Sequence, residues 1–132
     1  MALAGNAEIN SLQLRLAAEP QSVPVARQAL TKYAKENGAD AEAVAVATTE
    51  AVTNAVLHAF TGAQGQVLIE AWPSDQDLIV VVSDDGRGIS PNPVSPGLGY
   101  GLPLVAALCE EMSIEASSAG GTRLRMRFGA AG

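Results

Sequence analysis

The chain has 132 residues, 48% hydrophobic but only 4% aromatic, enough for one domain with a core mostly of Val, Leu, Ile and Ala. A net charge of −6 argues against non-specific binding to nucleic acid or an anionic membrane, both of which need a positive face. Cys109 is the single cysteine and His58 the single histidine, which excludes an intrachain disulfide, a cysteine-rich metal site and a multi-histidine one.

Met1 to Asn10 is small and polar and is expected to be a loose arm. It has no basic segment followed by an apolar core, and no later run approaches a membrane span, so a soluble cytoplasmic protein is expected. Leu12, Leu14 and Leu16 alternate with Gln13, Arg15 and Ala17, a strand with one buried face. Glu19 to Ser22 is a turn. Ser22 is expected to cap a helix with Pro24 in its first turn, and Gly38 ends that helix after Asn37. Arg27, Lys32 and Lys35 give it a basic, wet side.

Asp40 to Phe60 contains neither Pro nor Gly and is dominated by alanine, so the composition predicts a helix capped by Asp40. Apolar residues occupy nearly every face, which predicts a buried helix. Glu50, Asn54 and His58, spaced i, i+4 and i+8, form its only strong polar line. A buried carboxylate without partners is expensive, so this line is either a structural network or a site of chemistry.

Thr61 to Gln66 is a glycine-rich loop. Val67 to Trp72 reads as a strand stopped by Pro73. Ser74 to Asp77 is turn chemistry, and Leu78 to Val82 is a continuous run expected to be buried on both faces as the second strand of a hairpin. Ser90 to Pro96 holds three prolines and reads as a loop or lid. Gly97-Leu98-Gly99-Tyr100-Gly101 is expected to lead into a helix from about Leu102 to Glu110, with Pro103 tolerated in its first turn. Met112 to Ser117 is a strand, Ser118 to Gly121 a turn, and Thr122 to Phe128 a last strand with Arg123, Arg125 and Arg127 outward. Gly129 to Gly132 is expected to fray. The order predicts an α+β protein: a two-layer α/β sandwich, a mostly antiparallel sheet with its helices on one face, formed as a single domain over residues 1–132.

Three stretches carry possible chemistry. Asp84 follows a buried strand, where a carboxylate can accept from an exocyclic amine such as that of adenine. Gly86 and Gly88 let the backbone approach a flat ligand. The same Asp-Asp-Gly-Arg-Gly run also suits a simple turn. The glycines at 97, 99 and 101 before a helix offer unpaired N–H groups and a positive dipole end, which suit phosphate. Their spacing matches neither the dinucleotide fingerprint nor the P-loop, and a flexible linker is the alternative. Asn54 can offer magnesium a side-chain oxygen, and Glu50, one turn earlier, can take a proton.

Asn54 with Glu50, the Asp84-x-Gly86-x-Gly88 box, the Gly97-x-Gly99-x-Gly101 box and Gly120-Gly121-Thr122 occur in the order of the Bergerat-fold ATP-binding superfamily, which this chain resembles from Leu12 to Phe128. Within it, Glu50-Ala51-Val52-Thr53-Asn54-Ala55-x-x-His58 and the small size resemble the anti-sigma-factor serine kinases of the RsbW and SpoIIAB type. The resemblance implies ATP and magnesium as ligands. It implies that Asn54 holds magnesium, that Glu50 is the base toward a protein serine, and that Asp84, with Thr122, reads adenine past Gly86 and Gly88. Gly97, Leu98, Gly99, Tyr100, Gly101 and Leu102 would surround the phosphates, with His58 and Arg87 near them; the alternative for His58 is a cap at the end of its helix. The partners implied are a sigma factor and a STAS-type anti-anti-sigma protein, with no direct nucleic acid, no membrane, and a second copy of the chain in a homodimer. The short, proline-rich lid at Ser90 to Pro96 departs from the family's pattern.

Two other readings remain beside the kinase. One is a non-catalytic ATP-binding module that sequesters a partner. The other is a detached histidine-kinase-like catalytic domain, against which these residues contain no phosphoacceptor hairpin. An ATP-driven conformational machine is disfavoured because no transducer follows Phe128.

Overall fold

The computed structural model describes residues 10–59, 65–84, 96–116 and 121–131, with backbone alone for 58, 59 and 96–101. The elements in chain order are β1 (Leu12–Ala17), α1 (Ser22–Glu36), α2 (Ala41–Ala59), β2 (Gln66–Ser74), β3 (Asp77–Asp84), α3 (Pro96–Leu108), β4 (Glu111–Ala116) and β5 (Thr122–Phe128). The strands form one sheet in the order β1-β2-β3-β5-β4, with antiparallel pairing throughout. The expected α+β architecture is therefore present, with α2 as the middle helix packed against both α1 and α3.

Period-two alternation puts Val67, Ile69 and Ala71 of β2, Val80 and Val82 of β3, and Leu124, Met126 and Phe128 of β5 into one core. Ala26, Leu30 and Ala34 of α1 and Val44, Val52 and Ala55 of α2 close over them. Each large side chain fully buried here contributes about 1.5–3 kcal/mol. Leu78 to Val82 are all buried, as the unbroken β-branched run predicts. Ile79 and Val81 lie on the face away from the helices. Their cross-strand neighbours are Trp72 and Arg127 for Ile79, and Glu70 and Arg125 for Val81. On that face Arg127 donates to Asp77 at 2.8 Å and to Glu111 at 3.0 Å, binding β5 to strands on both sides.

The expected cap at Asp40 is present: its Oδ1 accepts from the Ala43 N–H at 3.2 Å. Gly38 ends α1 at φ 72°, with its N–H on the Lys35 carbonyl and the Ala39 N–H on the Ala34 carbonyl. That is the six-to-one and five-to-two pairing a left-handed C-terminal glycine permits.

Several expectations are corrected. Ser22 does not cap α1; it is its first residue, buried, and its N–H bonds the Glu19 carbonyl, so a turn starts the helix. Pro73 does not stop β2, which runs to Ser74. Its partner β1 ends opposite Ala71, so the missing N–H falls where no ladder bond is needed. The glycine run does not precede α3 but lies in its backbone, which begins at Pro96. Pro103 is thus in the helix interior rather than its first turn, on the exposed side, where it removes one intrahelical bond. The tail is not frayed through Ala131: Ala130 bridges Ala39, and the Ala131 N–H bonds the Gly38 carbonyl at 2.8 Å. Finally, α2 is not buried all round. Val46 is 38% and Leu57 51% exposed, and with Glu42 they mark an outward stripe.

Among the described residues no helix is long and apolar enough to cross a membrane. The expectations for the arm Met1 to Ile9 and for the lid Ser90 to Ser95 lie outside the described residues.

Candidate nucleotide site

A small open pocket lies between the helix layer and the end of the sheet, lined by Ala51, Asn54 and Ala55 of α2, Val82 and Asp84 of β3, Thr122 and Leu124 of β5, and Leu102 of α3. Each element delivers its residues by its own period. Ala51, Asn54 and Ala55 are spaced i, i+3 and i+4, so they share one helix face. Val82 with Asp84, and Thr122 with Leu124, are two apart and point inward from their strands. Ser83 pairs with Arg123, and continuing that register sets Thr122 opposite Asp84.

The walls are apolar and small, and three polar groups converge on them. Asn54 (8% exposed), Asp84 and Thr122 are all buried. The Asn54 Nδ2 has no hydrogen-bond partner among the described residues. A buried amide donor left unpaired is destabilising by roughly 1–3 kcal/mol, which an acceptor brought by a ligand would relieve. A flat ring with a polar edge suits such walls, and a charged oxygen suits the amide.

Glu50 is half-buried and lies outside the pocket lining. At 3.6 residues per turn, Asn54 stands about 40° further round the helix. Glu50 therefore occupies the rim between the buried face and the outward stripe. It keeps contact with water, which a fully buried position would have denied it.

The remaining expected residues divide. Leu102 joins the pocket. Gly97 lies in the first turn of α3, where N–H groups are unpaired, whereas Gly101 lies beyond that turn. For Leu98, Gly99 and Tyr100, as for His58, only the backbone is described; Gly86, Arg87, Gly88 and Gly120 fall outside the described residues. Ala51, Ala55, Val82 and Leu124 line the pocket without being chemistry-bearing residues of the sequence motifs. The signal was there: each shares a face with a polar residue already singled out. Apolar residues at such spacings are far more often core than pocket, which is why they did not stand out.

A helix layer on an antiparallel sheet, with a pocket between them bearing an amide, a carboxylate and a hydroxyl, defines the class: this chain belongs to the histidine kinase-like ATPase domain family, whose model matches residues 16–128. Among its relatives is the anti-sigma F factor of Clostridium kluyveri, 26% identical over 132 residues and covering 89% of this chain and 93% of its own. The serine-protein kinase RsbW of Listeria monocytogenes is 36% identical over 81 residues, 58% of this chain and 52% of its own. A solved structure of the RsbU and RsbW domains of a Mycobacterium tuberculosis protein superposes with a TM-score of 0.70 at 25% identity. It covers 91% of this chain, which spans 32% of that longer one.

Proposed function

We propose that this chain is an ATP-dependent anti-sigma-factor serine/threonine kinase, a single domain that binds a sigma factor and phosphorylates a serine of a STAS-type anti-anti-sigma protein. The observation that carries the reading is the buried Asn54 amide, with its Nδ2 unpartnered among the described residues, in one pocket with Asp84 and Thr122. The names of the relatives, an anti-sigma F factor and a serine-protein kinase RsbW, support the same choice.

In this reading Asp84 accepts from the exocyclic amine of adenine, and the Thr122 hydroxyl supports it from the facing strand. Ala51, Ala55, Val82 and Leu124 leave the ring room and exclude water from it. The Asn54 Nδ2 donates to a phosphate oxygen, and its Oδ1 would hold magnesium, which takes oxygen ligands and supplies charge neutralisation at the phosphates. Gly97 offers its N–H from the first turn of α3. Gly86 and Gly88 pass the nucleotide, and His58, Arg87 and the rest of the run to Gly101 stand near the phosphates. Glu50 takes the proton of the incoming serine as its oxygen bonds to the γ-phosphorus and ADP leaves. A base for a hydroxyl on another protein must be reachable from outside, and the rim position satisfies that.

The test is incubation with labelled ATP, magnesium and candidate partner proteins of the same cell. Phosphoserine on an anti-anti-sigma protein is expected. If a partner binds in the presence of ATP yet none is phosphorylated, the chain is a nucleotide-dependent binding module instead. We also assign the protein to the cytoplasm and to a homodimer. The latter rests on β1, an edge strand whose Leu12, Leu14 and Leu16 are half-buried, since such an edge tends to be paired or covered. A monomer mass by light scattering at high micromolar concentration would sink the dimer.

A further inference from the structure

Three features outside the pocket lining invite an explanation: the arginine face of β5, the half-buried Cys109, and the half-buried polar residues around the proposed base. The arginines at 123 and 127 are engaged by Glu115, Asp77 and Glu111. Cys109 is a lone thiol whose Sγ donates to the Val105 carbonyl. The third is different, because neither Glu50 nor Thr53 has a hydrogen bond or ion pair among the described residues.

A threonine inside a helix ordinarily turns its hydroxyl back onto the carbonyl one turn earlier. Three half-buried threonines lie in the helices, Thr31, Thr49 and Thr53. The Thr31 Oγ1 donates to the Arg27 carbonyl at 2.6 Å and the Thr49 Oγ1 to the Ala45 carbonyl at 2.8 Å. Thr53 makes no such bond, although the Thr49 carbonyl stands four residues before it. Thr53 and Asn54 follow Glu50 by three and four residues. At about 100° per residue they stand about 60° to one side of it and about 40° to the other, Asn54 toward the pocket and Thr53 toward the outward stripe. Helical side chains lean toward the N-terminus of their helix, so both lean back over the turn that holds Glu50.

The charged surroundings do not anchor the carboxylate. Arg27, Lys32 and Lys35 of α1 and Glu42 of α2 are exposed, no cation among the described residues pairs with Glu50, and α3 carries no charged residue. A base has to be aligned with the hydroxyl it deprotonates, and a glutamate held by nothing is spread over several rotamers.

We propose that Thr53 is the positioning residue for Glu50: its Oγ1–H donates to one carboxylate oxygen and leaves the other for the proton of the incoming serine. This rests on the kinase reading above and names the residue that holds its base. Of the donors within a turn of Glu50 on this helix, Thr49 is spent on the Ala45 carbonyl and Asn54 lines the nucleotide pocket, which leaves the Thr53 hydroxyl.

The test uses the full chain and the anti-anti-sigma protein of the same genome that the wild type phosphorylates. Thr53→Val keeps the shape and deletes the hydroxyl. Its kcat for phosphoserine formation is expected to fall about tenfold, the low end of what a hydrogen bond to a charged group contributes, with KM for ATP and for the protein substrate changed less than twofold. Thr53→Ser is expected to restore most of the rate. Thr49→Val, which deletes a hydroxyl bonded within its own helix, is expected to leave the rate unchanged. Thr53→Val added to Glu50→Gln is expected to cost nothing further, since a residue acting through the base has nothing to position once the base is gone. Thermal melting checks that each variant is folded, and Thr53→Ala takes the place of Thr53→Val if that one is not. Wild-type kcat without the Thr53 hydroxyl would overturn the positioning role and leave the kinase standing. So would a raised KM at unchanged kcat, or a loss on the Glu50→Gln background as large as on the wild type. A wild-type chain that phosphorylates no partner would overturn the kinase reading, and the positioning role with it.

Discussion

Asp84 and Thr122 stand opposite one another on β3 and β5, both buried and both facing the helix layer, because Ser83 pairs with Arg123 one residue along. Directly opposite side chains on antiparallel strands have Cβ atoms about 4.5–5.5 Å apart, so the carboxylate and the hydroxyl can act on one edge of one ligand.

Asp84→Asn tests that edge. It keeps the size, removes the charge and replaces one acceptor with a donor, which meets an amine badly. Nucleotide affinity is expected to fall by a few kcal/mol. Unchanged affinity by calorimetry would remove adenine from this site.

Asn54→Ala removes both the unpaired Nδ2 donor and the oxygen assigned to magnesium. The Nδ2 has no partner among the described residues, so the fold is expected to tolerate the change while magnesium-ATP affinity falls sharply. Thermal melting and nucleotide titration on one preparation separate the two effects. If wild-type affinity is the same with and without magnesium, the metal does not act through this residue.

Glu50→Gln retains the shape and removes the base. ATP binding and partner binding are expected to persist, while phosphoserine formation falls by roughly 10²-fold or more. Equal rates in wild type and variant would make Glu50 a structural acid.

Thr48 offers a prediction about stability alone. It is fully buried and its Oγ1 has no partner among the described residues, whereas Thr31 and Thr49 each bond the carbonyl one turn earlier, at 2.6 and 2.8 Å. Thr48→Val conserves the shape and deletes the orphan hydroxyl. A gain of about 1 kcal/mol is expected, raising Tm by roughly 3–6 °C. A lower Tm would mean that an ordered water satisfies the hydroxyl.

Most local structure was determined by the sequence itself, because its causes are local. Alternation at Leu12 to Leu16 and Thr122 to Phe128 specified strands with one inward face. Asp40 specified a helix start, and Gly38 a helix end that needs a positive φ. The ordered boxes around Asn54, Asp84 and Thr122 specified the family, since their spacing is a property of the chain. What the sequence could not decide depends on distant partners. Pro73 reads as a breaker until one sees that β1 has ended beside it. The tail reads as loose until Ala131 meets Gly38. The apolar faces of α2 read as buried all round, yet only a neighbouring helix or sheet can bury a face, and α1, α3 and the sheet leave the stripe through Val46 and Leu57 uncovered. The same rule decided the site. Insertion of β5 beside β3, rather than beside its neighbour in sequence alone, is what sets Thr122 against Asp84. No local pattern encodes that, because strand order is chosen by which arrangement buries the most apolar surface over the whole sheet.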